Sequence, residues 1–68
     1  MTGAYTSEHL TIWTNGRKQV VAIDTDMDNL DWAVDKASQY DGQPLHQIGA
    51  PEDIGDGWLR LRLCAEGE

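Results

Sequence analysis

Cysteine occurs once in this 68-residue chain, at Cys64, so no internal disulfide can form and none can staple the fold. Phenylalanine is absent and proline occurs twice, at Pro44 and Pro51, so a proline-rich linker is excluded. There is no long apolar run and no basic-then-apolar leader pattern, and with a lone thiol this leads us to expect a soluble, cytoplasmic protein. Basic residues are scarce, five against twelve acids, for a net charge of −7. Such a chain is repelled by nucleic-acid phosphates and anionic membranes and attracted to basic protein surfaces. At this length one domain fits, and a single core is only marginally sufficient.

What is present is centred on Val20 to Gly42, an apolar run, a burst of aspartates and a helix-period pattern. Thr25 precedes Asp28 by three residues, the capping-box spacing with Asp in place of Glu; Asp26 or Asp28 could cap instead. Met27, Leu30, Ala33, Val34, Ala37 and Tyr40 then line one helical stripe, and Gly42 with Pro44 ends it. At about 100° per residue, Asp28, Trp32, Asp35, Lys36 and Gln39 fall on the opposite face, so Trp32 should be exposed among carboxylates.

Before this stretch, Met1 to Ser7 is small and polar and is expected to fray. Glu8 to Thr14 alternates like a half-buried strand, Asn15-Gly16 signals a two-residue hairpin turn, and Arg17 to Asp24 returns. That register places Leu10, Ile12, Val21 and Ile23 on the core side and Trp13, Val20 and Ala22 on the other. After the helix, Leu45 to Ile48 is a short strand of undecided facing, and Gly49 to Gly57 reads as a loop. In Trp58 to Cys64, Leu59, Leu61 and Leu63 point inward while Trp58, Arg60, Arg62 and Cys64 point out; residues 65–68 are a tail. The expected fold is α+β, with ββαββ order and a four-stranded antiparallel sheet carrying one helix on one face. A single domain would span residues 8–64.

Asp24, Asp26, Asp28, Asn29 and Asp35 have the spacing of a calcium loop, but Asn29 replaces the turn glycine, Asp31 takes an apolar position, and a strand precedes. A solvated helix end accounts for them better. The run VVAIDTDMD resembles the nucleophile site of haloacid dehalogenase-type phosphatases, whose parallel sheet and distant partner residues a chain of this length cannot hold. His9, His46 and Cys64 share no zinc-ligand spacing. No catalytic residue, metal site or cofactor is assigned, and the chain reads as a binding protein rather than an enzyme.

Trp13, Trp32 and Trp58 all fall off the core stripe, and tryptophan is enriched in interface hot spots, although Trp58 could equally roof the core edge. One surface would comprise Asp24, Asp26, Asp28, Asp31, Trp32 and Asp35 with Glu52, Asp53 and Asp56, docking on a basic groove where nucleic acid binds. In size, acidity and ββαββ outline the chain resembles the small phage-encoded anti-CRISPR proteins. The resemblance implies an inhibitor, in a host cell's cytoplasm, of a type I-like CRISPR-Cas surveillance complex that blocks target DNA binding. It rests on architecture and composition and carries over no site residue. The alternative is a small dimeric regulatory module pairing through an open sheet face of Trp13, Val20, Trp58, Arg60 and Arg62.

Overall fold

A computed structural model describes residues 2–65. Five strands, β1 (Thr2–Thr6), β2 (Leu10–Thr14), β3 (Val20–Asp26), β4 (Leu45–Gly55) and β5 (Trp58–Ala65), form one antiparallel sheet in the order β1-β2-β3-β5-β4. Between β3 and β4 lie a 3-10 turn, Met27–Asn29, and the single helix α1, Leu30–Asp41. The α+β class and the helix on an antiparallel sheet agree with expectation. The strand count does not, because Thr2–Thr6 of the segment expected to fray, whose Met1 lies outside the described residues, pairs with β2 as a fifth, edge strand. Every residue of β1 is exposed, so backbone bonds rather than burial hold it. Glu66–Glu68 of the expected tail lie outside the described residues, while Ala65 closes β5.

Asn15-Gly16 does not form a two-residue turn. The Asn15 amide donates to Gln19 O at 2.9 Å, closing a three-residue loop whose last member, Lys18, has φ 62°. Asn15 favours it because its Oδ1 accepts from the amides of Arg17 (2.8 Å) and Gln19 (3.1 Å). The pairing then slips between Trp13 and Thr14, so Ala22 faces Trp13 while Val20 faces Thr14, leaving Val21 as the extra residue. That bulge reverses the expected alternation at the start of β3. Val20 is buried in the core and Val21 is only half-buried.

β3 also runs further than expected. Thr25, placed above as a helix cap, sits in the strand opposite Leu10 and Leu59, fully buried, and its hydroxyl donates to His9 O at 2.8 Å. Asp26 takes the cap position, but its carboxylate accepts from the Asn29 side chain instead of a backbone amide. The helix end is as expected: Gly42 adopts φ 78° and its amide donates to Ser38 O.

The β4–β5 hairpin replaces the expected loop. β4 continues through bulges between Ile48 and Glu52 and between Asp53 and Gly55, and the chain reverses at Asp56 and Gly57, whose φ values of 56° and 78° are those of a type I′ turn.

The core joins Leu10, Ile12, Val20, Ile23, Leu45, Leu61, Leu63 and Ala65 to Ala33 and Ala37 of α1, with Leu30, Val34 and Leu59 at its margin. The two alanines are fully buried and let the helix lie close on the sheet. Met27 and Tyr40, expected in this stripe, are exposed. A helix is about 10–12 Å across and five strands spread over about 19 Å, so α1, packed on β3 and β4, leaves β1 at the exposed margin of the sheet, while the inward side chains of β2 stay buried.

Candidate binding site

On the sheet face away from α1, Asp24 and Arg60 are paired residues of neighbouring strands. The Arg60 guanidinium donates to both Asp24 oxygens, Nε to Oδ1 at 2.8 Å and Nη2 to Oδ2 at 3.1 Å, and Trp13 Nε1 donates to Oδ2 at 2.9 Å. The Arg60 guanidinium also lies over the Trp13 ring, 5.6 Å from its centre. This fork holds the Arg60 guanidinium above its ordinary pKa, with the carboxylates of Asp24 and then Glu52 adding to the hydrogen bonds.

The expected dimer face is therefore largely self-satisfied. Trp13 and Arg60 are engaged with Asp24, Val20 is turned into the core by the bulge, Trp58 is half-buried, and Arg62 alone of the five is exposed. His46 and Cys64 face each other on this side, Sγ to Nε2 at 3.3 Å, and Ile48 is exposed beside Arg62.

The expected acidic surface divides in two. Asp24 is only 7 % exposed and spent on Arg60 and Trp13, so it is removed from any partner surface. Glu52 pairs with Arg60 across the strands and belongs to the open face as well. Asp26 is half-buried. Its Oδ2 lies 3.0 Å from His9 Nδ1, and its carboxyl is held below the ordinary pKa, first by the Asn29 side chain and then by His9. Asp28, Asp31, Asp35, Asp53 and Asp56 are exposed. The five residues of the calcium-loop spacing do not converge, since Asp24 points to one side of the sheet and Asp35 lies on the helix packed on the other. Nor do His9, His46 and Cys64, because His9 is beside Asp26 at one end of β3 while Cys64 is near the far end of β5. Among the described residues no three such side chains could share a metal ion.

Register sets the charge layout. Asp26, Trp58 and Gly55 are neighbours across β3, β5 and β4, so the entrance to α1 and the Asp53–Asp56 tip lie at one end of the sheet. The Val20 amide donates to Asp41 Oδ1 at the other end, near the loop carrying Arg17 and Lys18. The acids at the start of α1 and at the Asp53–Asp56 tip thus gather at one end, away from Arg17 and Lys18.

Trp32 is 41 % exposed, as its helical position requires, and it stands at the edge of a groove. The cleft, about 480 Å³, opens between α1 and β1. Tyr5 forms one wall and Trp32, Lys36, Gln39 and Tyr40 the other, while Leu10 and Ile12 behind them are buried. Trp32, Lys36 and Tyr40 follow one another at four-residue intervals and so share a helix face. The Trp32 position was legible in the sequence, but the groove was not, because its wall depends on β1, whose Tyr5 carries no apolar pattern. Compared with known proteins, the chain matches no family model, no curated protein and no solved structure.

Proposed function

We propose that this chain is a small acidic binding protein that docks the exposed side of α1 on a basic surface of a partner protein. The observation that carries this reading is the exposed ring of Trp32 with the exposed carboxylates of Asp31 and Asp35 on its own helix and that of Asp28 in the 3-10 turn just before it. With Asp53 and Asp56 at the same end, these acids create a field that draws a basic surface in, and Trp32 gives it an apolar anchor. A surface that normally holds nucleic acid is the kind of partner such a field fits. The nucleic-acid channel of a type I-like CRISPR surveillance complex is the instance the resemblance in outline implies.

The test pairs a general probe with that specific one. An octalysine peptide should bind the protein in 20 mM salt and be released as salt rises, and Asp28→Lys with Asp35→Lys should abolish binding without unfolding the domain. Added to a purified surveillance complex, the protein should lower target-DNA binding, and the same double variant should not. Loss of the second effect alone removes the CRISPR partner. Undiminished peptide binding by the double variant removes the acidic-face reading.

A further inference from the structure

The cleft between β1 and α1 gathers one class of side chain and leaves out another. The chain has five aromatic residues, three tryptophans and two tyrosines, and three of them, Tyr5, Trp32 and Tyr40, line this cleft while staying 46 %, 41 % and 49 % exposed. The chain also has twelve acids, yet none of those among the described residues lines it, and Lys36 is its single charged group. Lys36 Nζ and Trp32 Nε1 can only donate hydrogen bonds, and among the described residues neither has an acceptor or an ion-pair partner. The amide nitrogen of Gln39, by contrast, already donates to Asp35 Oδ2 at 2.9 Å. A volume of about 480 Å³ lies in the range of small-molecule sites, which pair apolar walls with a few polar groups.

We infer that this cleft binds a small aromatic carboxylate, its ring held between Tyr5 and the Trp32–Tyr40 wall and its carboxylate on Lys36. Aromatic walls favour a flat ring, which meets them stacked or edge to face. A carboxylate only accepts hydrogen bonds, so it complements donors that have no acceptor of their own. A cationic ligand of the same shape would meet Lys36 with no carboxylate in the lining to offset it. The inference is separate from the docking of a basic partner, which uses the acids of α1, and shares with it only the Trp32 ring.

Three probes of one shape, 2-naphthoate, the neutral 2-naphthamide and the cationic 2-naphthylmethylammonium, are titrated into the labelled protein while the three tryptophan indole N–H signals are followed by NMR. The titrations run at neutral pH in about 150 mM salt, where charges more than about 8 Å apart are largely screened and the chain's net charge opposes the anion little. The naphthoate should bind with a Kd of roughly 1 mM, weak as befits a small ligand in an open cleft, and should shift the Trp32 signal most. It should bind about two- to fivefold tighter than the amide, the size of an exposed charge pair, and the ammonium should bind weakest. Lys36→Gln should erase the advantage of the naphthoate over the amide and leave the amide's own affinity unchanged, and Trp32→Leu should weaken both. Thermal melts confirm that both variants are folded. Equal binding of naphthoate and amide to the unaltered protein, or an advantage that survives Lys36→Gln, would overturn the carboxylate site. Binding of none of the three, or shifts centred on Trp13 or Trp58, would overturn the cleft as a ligand site. Each of these failures leaves the acidic-face reading standing, because octalysine binding is measured separately.

Discussion

Replacing Arg60 by Met takes the positive partner from Asp24 while keeping most of the side chain's bulk over Trp13. The Asp24 side chain is 10 % exposed and that of Arg60 32 %, so the pair lies between the surface and interior cases. An exposed pair contributes roughly 0–1 kcal/mol, and stripping one partner from a buried pair costs about 3–5 kcal/mol. For this half-exposed fork, with Trp13 Nε1 still donating to Asp24, we expect a loss of about 2 kcal/mol. A chain of this size is stable by roughly 3–10 kcal/mol, so the variant should melt about 8–16 °C lower. Urea unfolding of the unaltered protein, Arg60→Met, Asp24→Asn and the double variant closes a mutant cycle. Its coupling should be about 1 kcal/mol or more. Coupling near zero would show that the fork is a surface ion pair with no hold on the open face, and the reasoning that withdraws Asp24 from partner binding would fail with it.

Two further outcomes follow from the same geometry. Since hydrogen bonds from Asn29 and His9 depress the Asp26 carboxyl in the folded chain, its contribution is complete above the unfolded carboxyl's pKa and is lost as pH falls through the folded value. Stability against pH should therefore bend downward below about pH 4, and Asp26→Asn should flatten that limb in urea titrations; an unchanged limb would refute the assignment. Gly57→Ala should cost about 1 kcal/mol or more in thermal unfolding, because Gly57 closes the β4–β5 turn at φ 78°. A neutral result would mean that the hairpin tolerates another turn.

The parts of the fold written in burial could be read directly. Leu59, Leu61 and Leu63 alternate because β5 is an inner strand with one face on the core, and Gly42 ends α1 because a left-handed residue is needed there. The parts held by backbone pairing could not. β1 and nearly all of β4 bury no side chain, so their ladders leave no hydrophobic period, and only Asp56-Gly57 marked the turn between β4 and β5. At the two ends of β3 local signals lost to the sheet. Asn15 bonded to its own loop and introduced a bulge, which moved Val20 inward, and Thr25 used its hydroxyl on His9 O instead of a helix end.

The same distinction governs the candidate site. A helical wheel suffices to expose Trp32, Asp28 and Asp35, whereas separating Asp24 and Glu52 from them requires the strand register that sets both beside Arg60. Clustering along the chain had joined acids that the sheet keeps on opposite sides. The apolar groove next to Trp32 escaped notice for a related reason. It arises from the width of five strands under one helix, which no single segment records.

The acidic-face account is tested most directly by mapping, residue by residue in the NMR spectrum of the intact chain, where an octalysine peptide binds in low salt. The account predicts shifts concentrated at Asp28 and along α1 to Tyr40, at Tyr5 and at the Asp53–Asp56 tip, all fading as salt is added. Shifts centred instead on Arg62, His46 and Ile48 would contradict it and make the open face of the sheet the binding surface.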